Sequence, residues 1–557
     1  MHHTGPIATN PAAINPSAIN PSAANRNAAN RNAADYFLDR HIREENGHRT
    51  AFIDPTTTLT YQNLHHQSVT FAAALARAGI VREQRIALVM LDTAAFPIAF
   101  WGAIRAGIVP VPMNTVLPAD MIAYMLDDSR APLLVVSADL LPALQPMLAH
   151  RPWLRHVIVA GPGADTVAGP GANIVDGSPT QGATTLADFL ATSDPRPAPP
   201  VPTSADEVAF WLYSSGSTGA PKGTRHVHAS LRATADTYGA QILGIQPDDL
   251  VFSAAKLFFA YGLGNAMTFP MSVAAAAILL PERPTPAAIL DLMRTHRPTI
   301  FGGVPTLYAS LLAHPDIGPG AGSSRLRRCI SAGEALPEQL GTNWAQTTGV
   351  DILDGIGSTE MLHIYLSNRD GALQYGTSGQ PVPGYDVKIL ADDGTDATGD
   401  EPGELVVRGP SAADGYWNQR DKSRRTFRGE WTHTGDKYIR QPDGYFRYCG
   451  RTDDMFKVSG IWVSPFEVEG ALAAHPAVLE AAVVGHDDAD GLTKPRAFVV
   501  LRPGFDDTPT LRETLKQHVK DRAGPWKYPR WIEFVPDLPK TATGKIQRYK
   551  LRAGEWA

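Results

Sequence analysis

The sequence predicts an α/β protein in two unequal parts: a large N-terminal part made of several subdomains and a small α+β part at the C-terminus. Three observations carry this. From Tyr36 onward, apolar runs with helix-like and strand-like periods alternate, the pattern of layered proteins built on largely parallel sheet. At 557 residues the chain is too long for one ordinary hydrophobic core. Its texture then changes after Arg451, where a compact tail with its own helices and strands begins.

Taken in order, residues 10–34 are five successive pentapeptides: NPAAI, NPSAI, NPSAA, NRNAA and NRNAA. The period is too short for a solenoid unit, and repeated Asn-Pro disfavours helix. Residues 1–34 are therefore expected to be a disordered, low-complexity leader. A large domain is expected over 35–452 and a small one over 453–557, with the boundary at Asp453. In the large domain, apolar periodicity predicts helices over 61–78 and 93–106, and Val109-Pro-Val-Pro112 reads as a strand. Residues 161–207 are rich in Gly, Pro, Ala and Thr and read as an exposed excursion. The tail reads as a helix over 465–474, strands over 478–485 and 496–501, and a helix over 511–522.

Composition narrows the function classes. Hydrophobic residues at 43% and charged residues at 19% are those of a soluble globular protein. A net charge of -6 without a basic run gives no electrostatic case for nucleic acid. Cys329 and Cys449 are the sequence's two cysteines, which excludes a disulfide scaffold and a Cys-based zinc site and suits a reducing compartment. Apolar stretches such as Val273-Ala-Ala-Ala-Ala-Ile-Leu-Leu280 fall short of the roughly 20 residues needed to cross a bilayer. The expectation is a cytoplasmic protein with neither membrane nor nucleic-acid partner.

Five segments carry chemistry. Tyr213-Ser-Ser-Gly-Ser-Thr-Gly-Ala-Pro-Lys222-Gly223 follows the apolar run Val208-Ala-Phe-Trp-Leu212. Its glycines let several backbone N–H groups converge on an anion, its hydroxyls add donors, and Lys222 adds a mobile charge. Gly223 after Lys222 departs from the ordinary P-loop order, which needs Ser or Thr there. Asp354-Gly-Ile-Gly-Ser-Thr-Glu360 sets a hydroxyl beside a carboxylate, a pair suited to a phosphate oxygen and its Mg²⁺. In Trp431-Thr-His-Thr-Gly-Asp436, a carboxylate after a glycine turn can accept two vicinal ribose hydroxyls. In Gly450-Arg-Thr-Asp-Asp-Met-Phe-Lys-Val-Ser-Gly460, Arg451 can reach ribose or phosphate, and the paired acids beside it can absorb rotation at a domain junction. Finally, Leu538-Pro-Lys-Thr-Ala-Thr-Gly-Lys545-Ile-Gln-Arg548 places a lysine just after a tight turn, from which it can be aimed into a cleft. Singly, most of these read as capped turns or solvated loops; their fixed order over more than 300 residues is what counts.

With those motifs in that order, the chain resembles the adenylate-forming superfamily of acyl- and aryl-CoA synthetases, luciferases and peptide-synthetase adenylation domains. The resemblance runs from about Asn32 to the C-terminus. Within the superfamily it looks most like the benzoate-CoA ligases, on four stretches: Asn32-Ala-Ala-Asp-Tyr-Phe-Leu-Asp-Arg40, Lys256-Leu-Phe-Phe-Ala-Tyr-Gly-Leu-Gly-Asn265, Gly357-Ser-Thr-Glu-Met-Leu-His-Ile364 and Lys457-Val-Ser-Gly-Ile-Trp-Val-Ser-Pro465.

The resemblance implies an N-terminal adenylate-forming domain under a mobile C-terminal domain, using ATP, Mg²⁺ and coenzyme A. It implies that Ser214, Ser215, Gly216, Ser217, Thr218, Gly219 and Lys222 hold pyrophosphate. Gly333, Glu334, Ala335, Asp354, Gly355 and Ile356 would form the adenine slot, and Asp436 with Arg451 would hold the ribose. Thr359 would contact the α-phosphate, Glu360 would bind Mg²⁺, and Lys545 would bridge carboxylate and phosphate during adenylation. The C-terminal domain would turn about Asp453, bringing Lys457, Ser459 and Gly460 to a pantetheine tunnel. Ala260, Tyr261, Gly302, Gly303 and His363 fall where relatives line the acyl pocket; Tyr261 would close a long-chain tunnel, and the glycines would leave room for a flat ring. Benzoate is the first expectation, with hydroxy-, amino- and fluorobenzoates beside it. A short- or medium-chain acyl-CoA synthetase, an aryl-adenylating enzyme loading a carrier protein, and a catalytically dead nucleotide binder stay open. Oligomeric state is not readable from the chain, and a homodimer is one assembly the resemblance allows.

Overall fold

The computed structural model describes residues 31–148, 151–167, 183–191, 198–214, 220–397, 401–452, 454–458, 461–489, 491–540 and 546–554. The leader expectation reached Ala34, but its last residues are built into the fold. Asn32, Ala33 and Ala34 are buried. The Asn32 amide donates to the carbonyls of Ile104 (2.9 Å) and Val201 (3.1 Å), and Ala33 N–H donates to His228 Nδ1 (3.1 Å). An Asn that ties down two backbone carbonyls is an anchor, so the end of the repeat pattern is part of the fold. Residues 1–30 lie outside the described residues.

Helix Tyr61–Arg77 starts where the Thr60 hydroxyl accepts from Asn63 N–H (3.2 Å), and it buries Tyr61, Leu64, Ser68, Phe71 and Leu75 along one stripe. Helix Ala95–Arg105 is buried from Phe96 to Arg105, which explains its lack of a polar face. The two helices touch at Gly102, where a Cβ would stand 2.8 Å from the Phe71 ring, so only glycine allows the approach. At the far end of the second helix, Arg105 makes a bidentate, buried pair with Asp39 and also donates to Ala198 O (2.7 Å). That pair fastens the first helical segment to the core.

Among the described residues, the largest sheet has nine strands. Its parallel centre runs Ile352–Gly357, Arg328–Ser331, Ile300–Gly303, Leu250–Ser253, Ala276–Ile278 and Thr50–Ile53, with antiparallel strands at both edges. A second, wholly parallel sheet orders Val109–Pro112, Arg85–Val89, Leu133–Ser137, His156–Ala160 and Thr184–Thr185. Leu133–Ser137 is buried throughout, as a strand covered on both faces must be. One continuous core joins the two sheets through the helices between them. Two antiparallel units complete the large part: Val208–Ser214 with Lys222–Val227 and Gly415–Tyr416, and the sheet containing Gly403–Arg408, Trp431–Arg440 and Phe446–Arg451.

The tail is α+β. Helices Pro465–Ala473 and Pro509–Ala523 pack on Val478–Asp487, Thr493–Leu501 and Trp531–Phe534, and both begin with Pro after a Ser or Thr cap. Each predicted tail element is present within a few residues of its expected bounds. Among the described residues no helix is long and apolar enough to cross a membrane.

The second sheet and the pocket region are tied through Asp92, whose carboxylate accepts from Leu257 N–H (3.2 and 3.3 Å) near Lys256. Burial pushes its pKa up to about 6, against the pull of Lys256 and the Leu257 amide. Between the unfolded value near 3.8 and about 6, the folded chain therefore keeps a proton that the unfolded chain has lost. Stability from this group is present at low pH and is lost as pH rises through 6. Asp92→Asn stays neutral, and a tenfold change in proton affinity is worth ~1.4 kcal/mol. The variant's stability relative to wild type should therefore rise by up to about 3 kcal/mol between about pH 4 and pH 7. Denaturant midpoints at several pH values check this, and parallel curves for the two proteins would contradict it.

Candidate active site

The parallel strands of the large sheet end at Ser253, Gly303, Ser331 and Gly357, and Gly302, Gly303, Gly333, Glu334, Ala335, Asp354, Gly355, Ile356, Thr359 and Glu360 lie on or just after these carboxyl ends. Such ends are where open α/β sheets bind ligands.

The pairing of Val208–Ser214 with Lys222–Val227 sets Ser214 opposite Lys222, so the glycine-rich segment is the loop of a hairpin. Ser215, Gly216, Ser217, Thr218 and Gly219 lie outside the described residues. At the loop base, Lys222 Nζ lies 3.4 Å from the Tyr416 hydroxyl and 4.4 Å from its ring centre. Tyr416 donates to Glu360 Oε1 (2.8 Å), and the Ser214 hydroxyl donates to the same oxygen (3.4 Å). Burial lowers the Lys222 pKa; Glu360 opposes that, while Lys422 and Arg451 add to it. The cluster thus holds a partly desolvated cation beside a carboxylate. Tyr416 was missed in the sequence, because its relation to Lys222 exists only through the pairing of Gly415–Tyr416 with Lys222–Val227.

Thr359 and Glu360 lie in the turn between Ile352–Gly357 and Ile364–Ser367, half-buried, with Glu360 O accepting from Ala413 N–H (2.8 Å). Gly357 permits the crossing, since a Cβ there would stand 2.5 Å from His363 O. Leu362 takes φ +64, a left-handed conformation unusual for leucine, and turns the chain just before His363. His363 is 3% exposed, with Phe269, Tyr238 and Tyr261 at centroid distances of 4.6, 4.9 and 5.8 Å. Neither ring nitrogen has a well-formed hydrogen bond among the described residues, with the Tyr261 backbone beside the ring. Burial drives its pKa down to about 3, so the imidazole acts only as a neutral donor or acceptor.

Ala260 and Tyr261 are half-buried, and the Tyr261 hydroxyl donates toward the carbonyls of Ile330 (3.0 Å) and Gly303 (3.2 Å). The two glycines differ, which corrects the expectation that both leave room for a ring. A Cβ on Gly303 would stand 3.0 Å from the Tyr308 ring, so that glycine serves core packing. Gly302 has ordinary spacing around it, with the Asn265 amide nitrogen and the Ser253 hydroxyl each 3.4 Å from a built Cβ.

At the segment expected to form the adenine slot, exposed Gly333 (φ +95) turns the chain after Arg328–Ser331, and Glu334 and Ala335 are half-buried in that turn. Asp354 is 3% exposed; Oδ2 accepts from Leu336 N–H (3.4 Å), and Oδ1 has no well-formed hydrogen bond among the described residues. Burial pushes its pKa well above the ordinary carboxylate value. Gly355 lies against Leu366 O, 2.6 Å from a built Cβ, and Ile356 pairs with Leu366 on the same strand crossing. Asp436 and Arg451 face each other across adjacent strands, Nη1 to Oδ1 3.1 Å, and Asp436 raises the Arg451 pKa. Gly435 (φ +71) permits this, because a Cβ would stand 3.0 Å from Arg451 Nη2.

Asp453, Ser459, Gly460 and Lys545 lie outside the described residues. Their surroundings are described. Asp454 is held by Arg552 (3.0 Å) and Arg548 (3.7 Å), and Arg548 grips Glu469 (2.7 Å). Lys540 pairs with Ile546 as a bridge, and Gln547 N–H donates to Pro539 O (2.8 Å), so the residues flanking 541–545 are joined to each other. Lys457 is exposed on the hairpin Phe456–Val458 with Ile461–Val463. A surface cleft of about 440 Å³ beside Arg408, Asp386 and Glu430 reaches Trp431 and Thr432 at the start of the third motif but touches neither Asp436 nor Glu360.

Comparison with known proteins agrees with this architecture. Residues 38–417 match the AMP-binding enzyme family, and residues 467–545 match the AMP-binding enzyme C-terminal domain. The chain is 53% identical over 517 residues to the 4-hydroxybenzoate–CoA/benzoate–CoA ligase of Rhodopseudomonas palustris, covering 93% of each protein. It superposes on a benzoate CoA ligase from Burkholderia xenovorans with a TM-score of 0.85 at 49% identity, covering 94% of this chain and 100% of that one. An anthranilate CoA ligase solved with anthranoyl-AMP gives 0.87 at 38% identity, with 95% and 98% covered. Matched along both of its parts and carrying the clustered phosphate-loop, acidic-turn and ribose-type residues, this chain belongs to the AMP-binding, adenylate-forming enzyme family.

Proposed function

We propose that this chain is an AMP-forming acid–thiol ligase that converts benzoate, or a close aryl carboxylate, to its CoA thioester. The observation that carries the reading is one continuous site: the Ser214–Lys222–Tyr416–Glu360 cluster stands on the acidic turn that leads directly into the aromatic surround of His363. The first part suits a polyphosphate and the second a flat ring, and the 53% identical relative is a ligase of benzoate and 4-hydroxybenzoate.

In the first half-reaction, a carboxylate oxygen of the acid forms a bond to the α-phosphorus of ATP, and the bond to the pyrophosphate oxygen breaks. Two anions must approach, so cations and oriented donors govern the barrier. Lys222 and the loop 215–219 receive the β- and γ-phosphates, Thr359 orients the α-phosphate, and Asp436 with Arg451 fixes the ribose. Glu360, with the Ser214 and Tyr416 hydroxyls beside it, is a hard oxygen donor set that fits Mg²⁺. Among the described residues no cluster of three or more His, Cys, Asp or Glu could cage a metal. A single carboxylate plus phosphate oxygens and waters is the usual Mg²⁺ arrangement, and the ion supplies charge neutralisation when bound. Lys545 bridges the carboxylate and the α-phosphate, and neutral His363 lines the ring pocket.

In the second half-reaction, the CoA sulfur attacks the carbonyl carbon, the bond to the phosphate oxygen breaks, and AMP leaves. Lys545 has to withdraw to admit the thiol. The clamp of Arg548 and Arg552 on Asp454 moves the start of the C-terminal part with its body, so rotation falls on Asp453. Lys457, Ser459 and Gly460 then line the pantetheine path. We place the protein in the cytoplasm, where ATP and CoA are available and where the free, buried Cys329 and Cys449 stay reduced.

Pyrophosphate release with ATP, Mg²⁺ and a panel of benzoate, 4-hydroxybenzoate, 2-aminobenzoate, hexanoate and acetate tests the reading. CoA-dependent turnover should be fastest on an aryl acid. Preference for hexanoate would move the chain to the short- or medium-chain class; CoA-independent adenylation with transfer to a carrier would make it a loading enzyme. Lys545→Ala should cost about 10²–10³ in adenylation and spare thioester formation from preformed benzoyl-AMP, and equal loss in both steps would contradict its role. Tyr416→Phe removes one hydroxyl partner from Glu360 and should raise the KM for MgATP about tenfold with little change in the KM for the acid.

A further inference from the structure

We propose that Asn265 reads a polar substituent on the substrate ring, so that the pocket is built for hydroxy- or aminobenzoates as well as for benzoate. The proposal rests on the acyl-pocket reading above. Asn265 is fully buried in the segment Gly264–Thr268, yet neither its Oδ1 nor its Nδ2 has a well-formed hydrogen bond among the described residues. The amide faces the Tyr261 hydroxyl closely enough to lower that group's pKa against the burial that raises it. That contact occupies the amide nitrogen and leaves Oδ1 without a donor among the described residues; a buried polar atom left so is costly, and native interiors pair the large majority of them.

The geometry says where its partner comes from. A Cβ built on Gly302 would stand 3.4 Å from Asn265 Nδ2, 3.4 Å from Ser253 Oγ and 3.6 Å from Ile330 Cδ1, ordinary contact distances. Glycine there leaves a methyl-sized space, floored by an amide and a hydroxyl, at the carboxyl ends of Leu250–Ser253 and Ile300–Gly303. Next along the chain, Gly264 is packed against His363, where a Cβ would lie 2.5 Å from Cδ2. Asn265 therefore shares a wall with His363 and Tyr261.

Depth assigns the end of the substrate. Thr359 and Glu360, where the carboxylate meets ATP, are half-buried and reachable, whereas Asn265 is closed from solvent and Ser253 is 4% exposed. A ring whose carboxylate points to the acidic turn presents its far edge to the amide. An unsubstituted edge leaves Oδ1 without a donor; a ring hydroxyl or amine can donate to it. A site with a positioned hydrogen-bonding group discriminates by the presence of that partner far more than by a methylene.

The test compares kcat/KM for benzoate, 3-hydroxybenzoate and 4-hydroxybenzoate in wild type, Asn265→Leu and Gly302→Ala. Wild type should use the better hydroxybenzoate at least as well as benzoate. In Asn265→Leu the hydroxybenzoate-to-benzoate ratio should fall about tenfold to a hundredfold, the usual effect of one buried hydrogen bond to substrate. Gly302→Ala fills the space while leaving the Asn265 side chain in place and should shift the ratio the same way, which guards against a misfolded Asn265 variant. Calorimetric binding of the same acids, with a non-hydrolysable ATP analogue present, reads the ratio independently of turnover. Ratios within about twofold of wild type in both variants would overturn the proposal and leave Asn265 as the holder of a buried water. If wild type binds the acids but forms no thioester, the ligase reading fails while the binding ratios still decide the role of Asn265; if it binds none of them, both readings fall.

Discussion

The chain of contacts from Lys222 through Tyr416 to Glu360 is the constraint on which the rest of the site depends. Its members come from three places far apart in sequence: the hairpin after Val208–Ser214, the short strand Gly415–Tyr416, and the turn after Ile352–Gly357. A phenol between an ammonium and a carboxylate keeps the opposite charges near each other without letting them collapse into a direct pair. On the proposed function, each stays available to a ligand of opposite sign, the lysine to phosphate and the carboxylate to a cation. Because Tyr416 is partnered through strand pairing with Thr224, and Gly415 with Arg225, the spacing is set by backbone hydrogen bonds rather than by mobile side chains. That is preorganisation in the sense that matters for two anions that must react.

The acyl side is organised differently. There the fold uses glycines and one strained residue to bring aromatic rings together around a histidine that burial keeps neutral. Gly264 and Gly357 each admit His363 at distances no Cβ would tolerate, and Leu362 adopts a left-handed conformation to aim it. A charged imidazole would attract any carboxylate; a neutral one enclosed by Tyr238, Tyr261 and Phe269 favours a flat apolar body with a single polar handle. The phosphate side thus works by field and the ring side by shape, and the turn bearing Thr359 and Glu360 joins them.

Much of this was legible in the sequence, for identifiable reasons. Helix 61–77 announces itself through a capped start and a single apolar stripe, and the tail helices through Ser or Thr followed by Pro. The glycine-rich segment, the acidic turn and the Thr-Gly-Asp436 run are contiguous motifs, so local spacing suffices to single them out as candidates. Tyr416 and Asn265 were invisible because their meaning lies in spatial surroundings, that of Tyr416 in a lysine 194 residues away. Gly303 was misread because a glycine that opens a pocket and one that admits a core tyrosine look alike in one dimension. The repeat NRNAA concealed the anchoring Asn32 because composition speaks for the average of a segment, and here a single amide ties the chain to two carbonyls.

If the phosphate side and the ring side form one site, an oxygen of the acid itself must pass to AMP through a mixed anhydride formed there. Turnover of benzoate labelled with ¹⁸O in both carboxylate oxygens, with ATP and CoA, reads this by mass spectrometry of the products. Transfer through the anhydride gives AMP carrying one ¹⁸O per thioester formed, and unlabelled pyrophosphate. Label in inorganic phosphate with ADP as the nucleotide product, or unlabelled AMP alongside thioester, would contradict it.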